Sequence, residues 1–180
     1  YTGLPAGRQR PRRGLCLCKK LRKMKICLLT VGKTTTEYLR KGIEEYASRA
    51  ARMIPFEVRS LPDVKNTRKL TAEQQKAAEG EMILAQMQPA DYVVLLDERG
   101  REYTSRGFSE MIERLQHTVG KTLYFVVGGP YGFSQAVYDR ADGLMALSKM
   151  TFPHEMVRLF FTEQIYRALA ILHHLPYHHD

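Results

Sequence analysis

The sequence lacks the cysteine content of a disulfide-bonded or zinc-binding domain. Its 180 residues include only three cysteines, which give no disulfide framework. Cys16 and Cys18 form a C-x-C pair without the second pair expected of a zinc site, and Cys27 stands apart. We therefore expect ordinary free thiols in a reducing cytosol, a cytoplasmic protein and no bound metal.

The chain also lacks a long apolar run. No stretch approaches the ~18 apolar residues of a membrane span, which predicts that no segment crosses a membrane. No apolar core precedes a small-residue cleavage site near the start, so we expect no secretory signal. The apolar fraction of 44% is ordinary for a soluble globule, and the length suits one domain with a substantial core.

The positive charge of the chain is concentrated at one end. The net charge is +9, but the first 23 residues contribute eight basic and no acidic side chains. The remaining chain is nearly balanced, with 20 basic and 19 acidic residues. Charge alone therefore does not indicate that the folded part binds RNA, and any RNA contact requires a local basic patch.

Residues 1–23 are predicted to be a disordered basic extension. They are rich in Arg, Lys, Gly and Pro and lack the periodicity of a helix or a strand. Met24 follows and opens a strand, so one hypothesis is that Met24 is the natural start and that the extension is not native. The alternative is a genuine basic arm that grips RNA. Residues 24–180 are predicted to form a single domain.

From residue 24 onwards, short apolar runs alternate with amphipathic stretches. Apolar runs rich in β-branched residues predict buried strands, and apolar residues at spacings of three and four predict helices. Thr36 and Thr71-x-x-Gln74 indicate two helix starts, the second as a capping box. Strands are predicted at 25–31, 56–61, 92–96, 122–127 and 144–147, and helices at 36–52, 71–87, 108–116 and after 153. This alternation predicts an α/β fold with a mainly parallel sheet flanked by helices.

Gly32-Lys33-Thr34, directly after the first strand, resembles the end of a phosphate-binding P-loop. The full motif requires a glycine five residues before Gly32, where this chain has Cys27 inside the strand. We therefore expect an ordinary strand-to-helix turn, and nucleotide hydrolysis is disfavoured.

Two irregular loops that follow strand ends predict a ligand pocket. Gly128-Gly129-Pro130-Tyr131-Gly132 follows the strand at 122–127, and the segment 148–154 follows the strand at 144–147. In open α/β sheets, ligands bind at the carboxyl ends of strands, and glycine lets the backbone approach a ligand closely. A tight turn also explains the glycines, so this pattern alone does not identify a ligand.

Five motifs, in this order and at this spacing, resemble one known family. They are Leu95-Leu-Asp-Glu-Arg-Gly100, Val126-Val-Gly-Gly-Pro-Tyr-Gly132, Leu147-Ser-Lys-Met-Thr-Phe-Pro-His154, Glu163-Gln-Ile-Tyr-Arg167 and Pro176-Tyr-His178. Together they resemble the RlmH-type family, the bacterial 23S ribosomal RNA (pseudouridine-N3) methyltransferases of the SPOUT or α/β-knot class. The resemblance covers residues 24–180.

The resemblance implies an enzyme that uses S-adenosylmethionine to methylate N3 of a pseudouridine in large-subunit ribosomal RNA within the assembled ribosome. It also implies a C-terminal trefoil knot that holds the cofactor, and a homodimer. The implied cofactor contacts are Leu96, Gly128, Leu147, Ser148, Lys149, Met150, Thr151 and Phe152. A broad apolar stripe on the last helix, wider than one core face requires, independently suggests a dimer contact.

Polar residues near the C-terminus are candidates for the remaining chemistry. N3 must lose its proton, and His178 is the candidate general base, with a surface or phosphate-binding role as the alternative. Arg158, Arg167 and His179 are candidate RNA contacts, although isolated arginines on a helix also snorkel or pair with nearby carboxylates. His179 stands where the family commonly has Arg or Lys, which leaves the role of the tail open.

The interpretation opposed to the enzyme is a non-catalytic RNA- or ribosome-binding module that uses the basic arm. Deleting residues 1–23 separates the two interpretations. We expect the shortened protein to keep its methyl transfer activity, because every motif of the resemblance lies beyond residue 23. The measurement is transfer of label from S-adenosylmethionine to ribosomes by both chain lengths. Ribosome binding that disappears with the arm, without methyl transfer by either chain, would support the binding module.

Overall fold

The computed structural model describes residues 24–179, so the predicted extension at 1–23 and the final residue, Asp180, lie outside it. The described residues form one parallel sheet with the strand order β2-β1-β4-β3-β5. The strands are β1 (Lys25–Val31), β2 (Phe56–Leu61), β3 (Tyr92–Glu102), β4 (Thr122–Val127) and β5 (Gly143–Ala146). The helices are α1 (Glu37–Ala51), α2 (Ala72–Leu84), α3 (Ser105–Thr118), α4 (Gln135–Arg140) and α5 (His154–Leu172). The predicted α/β fold with a mainly parallel sheet is confirmed.

Each face of the sheet carries its own hydrophobic core. In β1, Ile26 and Leu28 belong to one core, Cys27 and Leu29 belong to the other, and all four are fully buried. The first core includes residues of α1, α3 and α5, and the second includes residues of α2 and α4. Because helices cover both faces, the strands are continuous apolar runs, as expected for a parallel sheet.

Three aromatic rings fix α5 against the sheet. Phe161 of α5 lies 4.8 Å from Phe125 of β4 and 5.8 Å from Phe108 of α3, measured between ring centroids. The hydroxyl of Ser109 on α3 also donates to the carbonyl oxygen of Ala168 on α5, at 3.0 Å. These contacts hold α5 in place, and with it the loop that directly precedes α5.

The two predicted helix starts differ in how they are capped. Thr71 forms the predicted capping box: its hydroxyl accepts from the backbone N–H of Gln74 at 3.1 Å, and its own N–H donates to the Gln74 side chain at 2.9 Å. Thr36 occupies the N-cap position of α1, but its hydroxyl makes no capping bond. Instead, the carboxylate of Glu155 on α5 accepts from the N–H groups of Thr35, at 2.8 Å, and Thr36, at 3.3 Å.

Strand β3 is longer than the sequence predicts. The prediction ends the strand at Leu96, whereas β3 continues through residues 97–100 to Glu102. Its register against β5 shifts between Leu96 and Arg101, which is typical of a bulge. Gly100 makes this close approach possible, because a Cβ at that position would lie 2.4 Å from the backbone nitrogen of Met145. The predicted loop is therefore an irregular continuation of the strand.

The turn after β1 is an ordinary strand-to-helix turn, as predicted, and α5 holds it in place. Gly32 has a φ of 77°, which glycine adopts without strain. Arg158 of α5 is only 1% exposed, and it donates to the carbonyl oxygens of Val31 at 2.6 Å and Gly32 at 3.0 Å. Burial lowers the pKa of this guanidinium. The turn thus directs carbonyl oxygens towards a cation, whereas a P-loop directs N–H groups towards phosphates.

Replacing Glu155 with glutamine is expected to lower the melting temperature at pH 7 by about 2–4 °C, the typical effect of losing one helix cap. Hydrogen bonds from Thr35 and Thr36 lower the pKa of Glu155 from 4.5 to about 2. Because the folded pKa lies below the unfolded one, the stabilisation is present above pH 4.5 and is lost as the pH falls towards 2.

Thermal unfolding of the wild type and of Glu155→Gln between pH 7 and pH 3 tests this prediction. The difference between the two melting temperatures should narrow below about pH 4.5. Glu113→Gln removes an exposed carboxylate on α3 and serves as the matched control. A constant difference across this pH range would contradict the proposed capping role of Glu155.

Candidate active site

A cavity of about 560 Å³ lies at the carboxyl ends of β3, β4 and β5. This volume is within the range of roughly 300–1,000 Å³ that is typical of small-molecule sites. Both predicted loops contribute to its walls. The predicted contact residues that line it are Leu96, Gly128, Leu147, Ser148, Met150, Thr151 and Phe152. Lys149 is exposed and lies outside the lining.

The glycine loop after β4 is a tight turn packed between two side chains. Gly129 and Gly132 form an isolated bridge, and the N–H of Gly132 donates to the carbonyl oxygen of Gly129 at 3.1 Å. A Cβ on Gly128 would lie 3.1 Å from the ring of Phe133, and a Cβ on Gly129 would lie 2.3 Å from the carboxylate of Glu79. The absence of side chains therefore lets the loop sit close to its neighbours while it forms one wall of the cavity.

A hydrogen-bonded group at the end of β3 also lines the cavity. The hydroxyl of Tyr138 donates to the carboxylate of Asp97, and the Arg99 side chain donates to the same carboxylate at 3.1 Å. Burial alone would raise the pKa of Asp97, but these hydrogen bonds lower it below its usual range. Asp97 is therefore a carboxylate at neutral pH, and its oxygens can accept hydrogen bonds from a ligand.

The sequence-based prediction of site residues did not include this group. Asp97 carries a usable signal, because it directly follows the apolar run 92–96 and so lies at the ligand-binding edge of a parallel sheet. Tyr138 belongs to the short helix α4, and no local pattern indicates that its hydroxyl reaches β3.

The C-terminal tail contacts α5 of its own chain. The hydroxyl of Tyr177 donates to Glu163 at 2.9 Å, and Arg167 pairs with the same carboxylate at 2.6 Å. Arg167 also lies 3.3 Å from Nδ1 of His178. An arginine can only donate, so Nδ1 is the acceptor in this contact and its lone pair faces the guanidinium. His178 does not line the cavity of its own chain.

The three predicted RNA contacts lie in different environments. Arg158 is buried beneath the β1 turn, so an RNA-binding role does not fit its position. Arg167 is half-buried and engaged by Glu163, as the alternative of carboxylate pairing predicts. His179 is exposed. Burial of Arg158 could not be predicted because its carbonyl partners lie more than 120 residues away in sequence.

Two further findings concern residues 24–179 alone. These residues contain no group of three His, Cys, Asp or Glu side chains that could hold a metal ion. They also contain no helix of sufficient length and apolar character to cross a membrane.

The structure is that of an α/β domain with a ligand cavity at the carboxyl ends of parallel strands, the arrangement of many group-transfer enzymes. The family model described as "Predicted SPOUT methyltransferase" matches residues 24–178. The chain belongs to the SPOUT methyltransferase family. The family predicted from the five sequence motifs is therefore confirmed.

Similar proteins carry one functional name, "Ribosomal RNA large subunit methyltransferase H". The protein of that name from Parabacteroides distasonis is 55% identical over 157 residues, which covers 87% of this chain and 100% of the relative. The protein from Porphyromonas gingivalis is 52% identical with the same coverage. The protein from Christiangramia forsetii is 53% identical over 156 residues, covering 87% of this chain and 99% of the relative.

Replacing Gly128 with alanine is expected to weaken S-adenosylmethionine binding about tenfold. The new methyl group would press on the Phe133 ring at 3.1–3.2 Å, and overpacking of this kind typically costs about 1–3 kcal/mol. Isothermal titration calorimetry measures the affinity. Gly120→Ala is the matched control, because a Cβ at Gly120 meets nothing within 4 Å. Equal affinities for both variants would show that the Gly128 loop does not contact the cofactor.

Proposed function

We propose that this protein is an S-adenosylmethionine-dependent methyltransferase that acts on N3 of a pseudouridine in 23S ribosomal RNA, within the assembled ribosome. The observation that carries the proposal is the meeting of two predicted cofactor loops in one cavity, in a chain of the SPOUT methyltransferase family. The names of the relatives point to the same class of substrate, the RNA of the large ribosomal subunit.

The residues that line the cavity fit S-adenosylmethionine. Leu96, Leu147 and Phe152 supply apolar walls suited to an adenine ring, and the carboxylate of Asp97 can accept hydrogen bonds from ribose hydroxyls. Backbone carbonyl oxygens of the loop after β5 are suited to a positively charged group. When bound, the cofactor supplies an electrophilic methyl group on a sulfonium.

The chain itself has two tasks in the reaction. It must hold N3 of the base about 3–3.5 Å from the methyl carbon and in line with the bond that breaks. It must also accept the proton that N3 loses, and His178 is the candidate for this step. In its own chain, His178 faces Arg167 and lies outside the cavity lining. We therefore propose that His178 acts from the tail of a second copy of the protein.

A homodimer also suits the surface beside the cavity. A groove of about 370 Å³ shares Leu147 and Phe152 with the cavity and extends to Phe160 of α5. Phe160 is 40% exposed and Met150 is 74% exposed, which is more apolar surface than a free chain needs to present. We propose that the second copy covers this surface. The trefoil knot implied by the family remains a prediction.

The test is a transfer assay with labelled S-adenosylmethionine and ribosomes from a strain that lacks the modification. We expect label in the large-subunit RNA only, and on a pseudouridine after digestion to nucleosides. Gly128→Ala should reduce the label at limiting cofactor, and Gly120→Ala should not. A folded protein that labels no ribosomal particle, while it binds ribosomes, would contradict the proposed activity and favour the binding module.

A further inference from the structure

A second cavity lies on the other side of the glycine loop. It has a volume of about 300 Å³ and is lined by the turn after β1, the loop after β2, and α2. Gly129, Pro130 and His154 line both cavities. The two cavities therefore lie next to each other along the carboxyl edge of the sheet, with the glycine loop between them. None of the functional roles assigned above uses the second cavity.

Two buried, charged side chains line this cavity, and each has one atom without a protein partner. Glu79 is 3% exposed; its Oε1 accepts from Gln75 at 2.8 Å, whereas its Oε2 has no hydrogen-bond partner among residues 24–179. Arg158 is 1% exposed, and its Nε likewise has no partner in this part of the chain. Buried polar atoms are rarely left unpaired, so these two atoms indicate a polar ligand.

The two unpaired atoms define the chemistry of that ligand. The Glu79 oxygen can only accept a hydrogen bond, and the Arg158 Nε–H can only donate one. A uracil or guanine base presents both matching groups, since each carries a ring N–H beside a carbonyl oxygen. The cavity volume of about 300 Å³ is sufficient for a single base with its sugar.

Exposed basic residues flank the entrance to this cavity. Asp63, Val64 and Thr67 of the loop after β2 line the cavity, and Lys65 and Arg68 of the same loop are exposed. Lys69 is also exposed, and Lys33 contributes to the lining. Because the chain beyond residue 23 is nearly neutral, this loop supplies the kind of local positive charge that RNA phosphates require.

We propose that the second cavity binds an unstacked base of the RNA substrate, with Glu79 accepting its N–H and Arg158 donating to its carbonyl oxygen. The basic loop holds the flanking phosphates. The bound base is a neighbour of the methylated one, because the methylated base must meet the cofactor in the first cavity. This inference rests on the proposed function, which makes RNA the partner.

The central experiment compares the binding of wild type and Glu79→Gln to isolated large ribosomal subunits by co-sedimentation. Glutamine keeps an oxygen for Gln75 but places an NH₂ donor where the base N–H must be accepted. We expect binding to weaken about tenfold or more, because a mismatched buried donor is left unpaired. The affinity for S-adenosylmethionine and the melting temperature should stay unchanged. Glu81→Gln, an exposed carboxylate on the same helix, is the matched control.

A second variant tests the basic loop independently of Glu79. Lys65→Gln combined with Arg68→Gln should weaken binding to the subunits. It should also lower the slope of log affinity against log salt by about one for each phosphate contact removed. Both residues are exposed, so this variant is expected to fold normally. An unchanged slope would remove the loop from the RNA interface.

The possible outcomes separate this inference from the proposed function. Unchanged subunit binding by a folded Glu79→Gln overturns the inference. Weaker S-adenosylmethionine binding with unchanged subunit binding assigns the cavity to the cofactor and also overturns it. If Glu79→Gln binds subunits weakly while even the wild type transfers no methyl group, the proposed activity fails and the RNA-binding cavity stands. A wild type that binds no large subunits contradicts both.

Discussion

The buried guanidinium of Arg158 is the interaction on which the arrangement of the site depends. It projects from the longest helix, α5, onto the carboxyl end of the central strand β1, where it satisfies the carbonyl oxygens of Val31 and Gly32. A buried cation is costly unless it is fully hydrogen-bonded, so α5 cannot slide along the sheet without losing these partners. The loop 147–153 that lines the first cavity leads directly into α5 and is therefore held in register with the strand ends.

The neighbouring contacts reinforce the same attachment. One turn before Arg158, the Glu155 carboxylate takes over the capping of α1, and one turn after it, Phe161 packs on Phe125 of β4. A polar clamp at the strand ends and an apolar contact in the core thus fix one helix at two levels. Rigid strands and a fixed helix then carry loops that contain the ligand-binding groups, a common division between scaffold and site.

Much of the fold could be predicted because its signals are local in sequence. The apolar runs of β1 and β4, the capping box at Thr71 and the length of α5 each follow from residues within one element. The cavity could also be predicted in outline, since both of its loops follow strand ends. The burial of Arg158 and the capping by Glu155 could not, because their partners are more than 115 residues away. The continuation of β3 was missed because Gly100 suggests a turn until its proximity to β5 is known.

The distribution of charge bears on how a nearly neutral folded domain can recognise RNA. Phosphate contacts provide affinity and orientation but carry little information about sequence, so a few exposed cations are enough for that part of binding. Discrimination between bases requires buried donors and acceptors, because leaving such groups unpaired penalises the wrong base strongly. Glu79 and Arg158 are buried groups of this kind, and the glycine loop that separates them from the first cavity is thin enough to couple recognition to catalysis. A neutral surface with a few buried charges therefore favours selectivity for its substrate over general affinity for RNA.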